Sequence, residues 1–215
     1  MTTVGVLGGT GPAGRGVAIR LASAGYDVIL GSRDALRAEE IATTLLARGD
    51  GVIRGATNDV AADAEIVIVA TPWDSAVATV SALRARLKDK VVISMVNALV
   101  REGKELLPLY PPRGSMAAQL AFALPESTIV GAFHHLPASD LENLDSGIDA
   151  DVAIFSDSDA ARKLVAEIVD EMPGLHAVIA GSMSLASAIE AFTAVCVSIN
   201  IRHKVHSYVK FAGLH

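Results

Sequence analysis

The chain predicts an α/β fold, a doubly wound parallel sheet with helices on both faces. Three observations point there. Short runs of Val, Ile and Leu recur along the first half of the chain, and longer segments of helical spacing separate them. The first junction between the two carries Gly9, Gly11 and Gly14 in GVLGGTGPAGRG, residues 5–16. Repeated strand–helix–strand units close into a parallel sheet with right-handed crossovers.

The strands read in order as VGVLG (4–8), DVILG (27–31), VIRGA (52–56), EIVIVA (65–70) and KVVISMV (90–96). They are apolar almost without interruption, as parallel strands covered on both faces require. Between the first two, residues 12–24 place Val17, Leu21 and Ala24 on one helical stripe, with Gly25 at the C-terminal cap. Residues 34–48 repeat the pattern with Ala38, Ile41 and Leu45 and stop at Gly49. A third helix spans 72–87, with Thr71 as its N-cap and Pro72 at the first helical position.

After Asn97 the regularity loosens. LLPLYPPRGS (106–115) is expected to be an irregular connection and MAAQLAFAL (116–124) a helix. Strands return at TIVGAFHH (128–135), DVAIFS (151–156) and HAVIA (176–180), with a helix over 159–171. SDSDA (156–160) supplies capping groups for that helix start. A last helix from Ser184 to about Lys210 is apolar on nearly every side and needs a buried setting, in this chain or against a second subunit. A homodimer is the smallest assembly that meets this need. The division expected is a doubly wound, Rossmann-type domain over 1–135 and a smaller part over 136–215 that closes the cleft and ends in this helix.

Composition narrows the function. Of 215 residues, 51% are hydrophobic and only 4% aromatic, so Ala, Val, Ile and Leu must fill the core. The net charge of −6 argues against a nucleic-acid partner, and phosphates must be held by local groups. Cys196 is the single cysteine and lies in the apolar run AFTAVCVSINI, which suits a buried inert thiol. The start MTTVGVLGG shows no basic leader, and no stretch reaches the roughly 18 uninterrupted apolar residues of a membrane span. The expectation is a cytoplasmic protein with no membrane or metal requirement.

The glycines sit where a dinucleotide fingerprint requires them, after a strand and before a helix. Gly9 allows the tight turn, Gly11 the approach of a pyrophosphate and Gly14 close helix–strand packing, with phosphates at the helix N-terminus. Thr10, Pro12 and Ala13 complete the loop, although Pro12 has no N–H to offer. NAD sites place an acidic residue roughly 20 positions on, to accept from the ribose hydroxyls. Here the chain reads GSRDALR, with Ser32, Arg33 and Arg37 in place of a carboxylate, which favours the 2′-phosphate of NADP. Asp34 is read as the N-cap of the following helix, pointing away from the ribose. Thr71 and Pro72, at the tip of the fourth strand, are expected to line the nicotinamide half, while Trp73 is as well explained by packing.

The segments LGGTGPAGRG, GSRDALR, TPWDSA, HHLPASDLENLD and GLHAVIAGSMSLASAIEAF stand in the order and spacing of a known family. Over essentially its whole length the chain resembles the NADPH-dependent oxidoreductases of the deazaflavin coenzyme F420. The resemblance implies a hydride passing directly between nicotinamide C4 and deazaflavin C5, with NADP as cofactor and coenzyme F420 as co-substrate. It makes Thr10, Ser32, Arg33 and Arg37 the phosphate and loop contacts, Pro72 the proline after the fourth strand, and His134 the histidine near the ring stack. Two positions depart from the family pattern: Pro12 and Ala13 replace a polar–apolar pair, and Ser187 stands where an arginine is expected.

Hydride exchange between two bound coenzymes demands close parallel rings and exclusion of water, not a metal or triad. His134 and His135 are expected on a strand with side chains on opposite faces, which prevents joint chelation. His134, facing the cleft, would bond a ring carbonyl and offset charge, and the alternative is a histidine that only caps or packs. AGSMSLAS (180–187) offers Ser184 and Ser187 to a carbonyl or phosphate at the start of the last helix, the alternative being capping by Ser182 or Ser184. Two other functions fit the fingerprint. One is an NADPH-dependent reductase of a small imine or carbonyl compound, and the other a non-catalytic NADP(H) sensor.

Overall fold

The computed structural model describes residues 2–46, 51–103 and 105–214 of the chain. Strands β1 (Thr3–Leu7), β2 (Asp27–Ser32) and β3 (Val52–Thr57) alternate with helices α1 (Pro12–Ser23), α2 (Ala35–Leu46) and the short α3 (Asn58–Ala61). Then follow β4 (Ile66–Val69), α4 (Trp73–Ala82), α5 (Arg84–Leu87) and β5 (Val91–Ser94). A hairpin of β6 (Leu99–Glu102) and β7 (Glu105–Pro108) leads to α6 (Met116–Ala123), β8 (Thr128–Gly131) and α7 (Ala138–Glu142). The chain closes with β9 (Ala150–Phe155), α8 (Asp159–Glu171), β10 (Leu175–Gly181) and α9 (Ala186–His203), the last entered through a 3-10 turn at Met183–Leu185.

Eight strands form one sheet in the order β10-β9-β8-β5-β4-β1-β2-β3. The six from β8 to β3 are mutually parallel. Strands β9 and β10 run parallel to each other and join β8 through one antiparallel pair, Gly131 with Phe155. Strand order reverses beside β1, whose neighbours are β2 and β4, and this is the crevice where doubly wound sheets take dinucleotides.

Period-two side-chain alternation explains why the strands read as solid apolar runs. Val4, Val6, Val28, Leu30, Ile66, Ile68 and Ile93 pack on one face under α1, α2 and α8. Leu7, Ile29, Val67, Val69 and Val92 pack on the other under α3, α4 and α6. Both sets are buried, so neither face needs polar residues.

Several expectations are corrected. The helix expected over 72–87 is two helices, broken at Leu83, and its N-cap is Pro72. Thr71 therefore does not cap it. The connection expected to be irregular contains β7, because LLP pairs back on β6. The strand expected to reach His135 ends at Gly131, so neither histidine lies on a strand. Of the second helix, residues 47 and 48 and the stop at Gly49 fall outside the described residues.

The last helix departs most. It starts at Ala186 and ends at Lys204, where φ of 54° turns the chain left-handed. Of the two settings expected for it, burial within this chain is only partly met: Phe192, Val195, Ile199 and Ile201 are each more than 40% exposed. Among the described residues, Met183–His203 is long and apolar enough to cross a membrane by length and composition. In the fold, however, its polar side chains Glu190 and Thr193 are buried against the protein.

Candidate active site

The turn from β1 into α1 is shaped by close backbone approaches. A Cβ on Gly9 would lie 2.7 Å from Leu30 Cδ1, and one on Gly14 would lie 2.7 Å from Gly9 Cα. The helix can thus start against the strand only if both positions lack side chains. Gly11 differs, since the nearest atom to its Cβ position is 3.6 Å away and the approach from outside is open. It is the N-cap of α1 and brings no side chain to the first turn, where Pro12 follows. The amides of Ala13 and Gly14 lie in the first turn, where a helix leaves its N–H groups without helical partners. Thr10 is half-buried in the same turn. Two further contacts fix the loop: Gly9 N–H donates to Gly31 O at 2.8 Å, and Gly8 N–H donates to Asn58 Oδ1 at 3.1 Å. Asn58 carries no motif, and the sequence reading missed it.

At the tip of β2, Ser32 is buried and its Oγ accepts from Asp34 N–H at 3.2 Å. Asp34 Oδ1 accepts from Arg37 N–H at 3.3 Å, and its carbonyl accepts from Ala38 N–H. Asp34 is thus the α2 cap the sequence predicted. Its carboxylate is engaged with the helix, and Arg33 and Arg37 are both exposed beside it. A dianionic phosphate suits two free guanidinium groups; a ribose diol does not need them.

The tips of β4, β5 and β8 hold a row of unmet polar atoms. Thr71 Oγ1, Ser94 Oγ and both ring nitrogens of His134 are buried without a hydrogen-bond partner in the protein. The three strands are neighbours in the sheet. Buried polar groups are nearly always paired, so such a row marks where a ligand or ordered water completes the structure. Ser94 was missed in the sequence, although a hydroxyl inside KVVISMV is the one interruption of that apolar run. Pro72 and Trp73 stand exposed beside Thr71.

His134 follows Phe133, a buried residue at φ 66°, a strained conformation for a bulky side chain. That turn lays the His134 ring on Phe155 with centroids 5.4 Å apart. The His134 carbonyl accepts from Asn97 Nδ2 at 3.1 Å and lies 3.2 Å from Thr193 Oγ1. His135 turns the other way, its Nε2–H donating to the Ile189 carbonyl of α9 at 2.7 Å. Burial, and then the neighbouring His135, push the His134 imidazole down to about 3. It is therefore a neutral ring, able to donate from one nitrogen and accept at the other.

Ser184 is exposed in the 3-10 turn and Ser187 half-buried in the first turn of α9. The expected serine caps are not made there; Met183 N–H donates instead to Asp157 Oδ1 at 3.0 Å. Ser158 caps α8 as the sequence indicated. Cys196 is buried and its thiol pushed up by burial, in keeping with an inert role. Among the described residues, no group of three or more His, Cys, Asp or Glu is placed to hold a metal.

Comparison with known proteins bears on this site. Residues 3–98 match the sequence model of a family described as NADP oxidoreductase, coenzyme F420-dependent. An F420-dependent NADP reductase from Methanocaldococcus jannaschii is 34% identical over 94% of this chain and 93% of its own. One of the same description from Methanothermobacter thermautotrophicus is 33% identical over 95% and 91%. In three dimensions, a crystal structure from Arthrobacter sp. FB24 covers 99% of both chains at a TM-score of 0.84 and 24% identity. An imine reductase from Bacillus cereus covers 93% of this chain and 60% of its own at a TM-score of 0.62 and 18% identity, a likeness of fold.

Proposed function

The chain belongs to the coenzyme F420-dependent NADP oxidoreductases, and from that premise we propose how its residues divide the transfer of a hydride between NADP(H) and F420. When bound, the pair would supply the chemistry: a hydride from C5 of reduced F420 to nicotinamide C4, with one proton released to solvent, so that reduced F420 and NADP+ become oxidised F420, NADPH and H+. The protein must hold two rings together and keep water away. The observation that carries this assignment is the row of unmet buried polar atoms at the tips of β4, β5 and β8, beside the glycine turn.

Residues 1–135 take NADP. Gly9, Thr10, Gly11, Pro12, Ala13 and Gly14 form the pyrophosphate turn; Ser32, Arg33 and Arg37 take the 2′-phosphate. Thr71 and Pro72 line the nicotinamide. Residues 136–215 close the deazaflavin half, with Ser184 and Ser187 at its edge and His134 between the two halves. His134, neutral throughout the working range, orients a ring by hydrogen bonding and shields it from water.

The test is direct. Purified protein mixed with NADPH and oxidised F420 should bleach the deazaflavin's visible absorbance, and proven NADPH binding without bleaching would overturn the assignment. His134→Ala should slow turnover by about tenfold or more, within the range expected for one positioned hydrogen bond, and leave the NADP dissociation constant within about twofold. Turnover equal to wild type would make the histidine a packing residue. Because the folded imidazole titrates below its ordinary value, its contribution to stability is complete above about pH 6.5 and lost as pH falls toward 3. No histidine limb near pH 6.5 is expected from it in the rate profile.

We also assign a homodimer in the cytoplasm, seated on α9. Exposed Phe192, Val195 and Ile199 continue into Leu107 of the hairpin, and a groove of about 330 Å³ runs between β7 and α9, with Glu105 and Arg202 among its lining residues. An apolar face of this kind is rarely left to water. The spent polar side of the same helix fits a protein contact better than a bilayer. Sedimentation at micromolar concentration should give twice the chain mass, and Val195→Glu should return it to one.

A further inference from the structure

Glu190 is a buried acid that neither the coenzyme contacts nor the hydride step uses. It lies on α9 with 5% of its surface exposed. Its Oε2 accepts from Met116 N–H at 2.6 Å and its Oε1 from Ala117 N–H at 2.8 Å. These are first-turn amides of α6, and the next one, Ala118 N–H, is taken by the N-cap Ser115. The carboxyl thus completes the N-terminus of another helix across a tertiary interface. The same stretch of α9 carries two more polar links, both to the histidine turn. His135 Nε2–H donates to the Ile189 carbonyl, and Thr193 Oγ1 lies 3.1 Å from Asn97 Oδ1 and 3.2 Å from the His134 carbonyl. Three contacts within residues 189–193 of α9 therefore fix how it sits, and Glu190 is the ionisable side chain that α9 brings to them.

We propose that Glu190 is a positioning residue for the second coenzyme: its carboxyl seats α9 on α6 and so sets the deazaflavin half of the cleft without touching either coenzyme. This rests on the reading of the cleft given above and extends it to a residue that reading did not need. The NADP phosphates are assigned to β1, α1 and β2, to none of which Glu190 hydrogen-bonds, so its loss should act mainly on the other coenzyme.

The surroundings supply a pH signature. Burial raises the Glu190 carboxyl from 4.5 to about 7, against the two amide bonds that pull it down. The first turn of α6 and the first turn of α9 carry no acid. His134 and His135 are both pushed toward the neutral form, and Arg113, in the loop before α6, is turned onto the Phe122 ring at 3.5 Å. Since the seated carboxyl holds its proton more tightly than a freed one, unseating becomes easier as pH rises from 4.5 to 7 and levels off above.

Glu190→Ala and Glu190→Gln test the proposal with two readouts. In steady-state assays, Glu190→Ala should raise the KM for F420 about tenfold, with the KM for NADPH and the NADP dissociation constant within about twofold of wild type. Glu190→Gln keeps an acceptor oxygen and should recover part of that loss while removing the change in F420 KM between pH 6 and 8. Hydrogen exchange on the same proteins needs no turnover: Glu190→Ala should expose the Met116 and Ala117 amides and the 189–193 segment together, with α1 still protected. Equal loss for both coenzymes, an unchanged pH profile in Glu190→Gln, or exposure of α6 alone would overturn it. If wild type fails to reduce F420 at all, the assigned function falls while the exchange data still judge the seat.

Discussion

Arg20→Ala is expected to cost roughly 3–5 kcal/mol of stability, the range for stripping the partner from a set of buried polar groups. Arg20 lies on α1 at 2% exposure, with its guanidinium wholly inside the protein. Nε donates to Leu141 O at 3.0 Å, and Nη1 to Pro173 O at 2.8 Å. Nη2 lies 2.7 Å from Asp140 O, 3.0 Å from Asn143 O and 3.2 Å from Ser146 Oγ. One side chain thus ties α1 to α7, to the loop after it and to the turn before β10. Desolvation pulls its pKa down and nearby Asp140 partly restores it, so the charge is held mainly by carbonyl dipoles. Truncation takes a donor from four carbonyls, of which Asp140 O and Asn143 O keep a bond from Ser146, and opens a hole beneath α7. For a chain of this size the melting temperature should fall by about 10 °C, taking about 2–4 °C per kcal/mol. Arg20→Lys should recover only part, because an ammonium lacks the planar fork that spans these acceptors. A shift under about 2 °C in Arg20→Ala would mean that water replaces the guanidinium at little cost.

Arg33→Ala should weaken NADP binding by roughly 10- to 100-fold, the equivalent of about 1.5–3 kcal/mol for charged hydrogen bonds to a phosphate. NAD binding should change by less than about twofold. The difference is expected because the residue is assigned to the 2′-phosphate alone, and the pyrophosphate turn is made of backbone from β1 and α1. Arg33 is exposed, so its removal disturbs no packing and the folded protein stays intact. Arg37→Ala should show the same preference with a smaller loss, since it stands one turn further from the strand tip. The double variant should bind the two nucleotides about equally. Titration of both nucleotides against both proteins measures this, and parallel losses for NAD and NADP would remove the phosphate role from Arg33.

Both predictions depend on residues of one type that the sequence treats very differently. Arg33 stands in GSRDALR beside a glycine turn, and its place at the tip of β2 was legible because local order along the chain puts it there. Asp34 was legible as a cap for the same reason, as was Ser158. Arg20 was not. In RLASAG it has the look of a helix charge facing water, and its acceptors begin at Leu141, 121 residues later. Glu190, in a helix apolar on nearly every side, had the same invisibility, because the amides it meets belong to α6. Ser94 announced itself only as a lone hydroxyl in an apolar strand.

The errors have a common origin too. His134 and His135 read as strand because β-branched residues and a phenylalanine precede them. The left-handed turn at Phe133 is stabilised by contacts from Asn97, Thr193 and Phe155 that no local propensity encodes. The last helix read as buried, in this chain or against a second subunit, because its residues are apolar on nearly every side. Its packing in the single chain covers only the face carrying Glu190, Thr193 and Cys196.

By itself, then, the order of residues determined the wound sheet, the nucleotide turn and the preference for a 2′-phosphate. Each depends on spacing within one strand–turn–helix unit, where sterics and the glycine pattern act over a dozen neighbours. Only the tertiary structure decided which buried charges find partners, where the histidine turn points and which side of α9 remains open. Those outcomes depend on dipoles and surfaces brought together from distant parts of the chain, whose free energy does not exist until the sheet has formed.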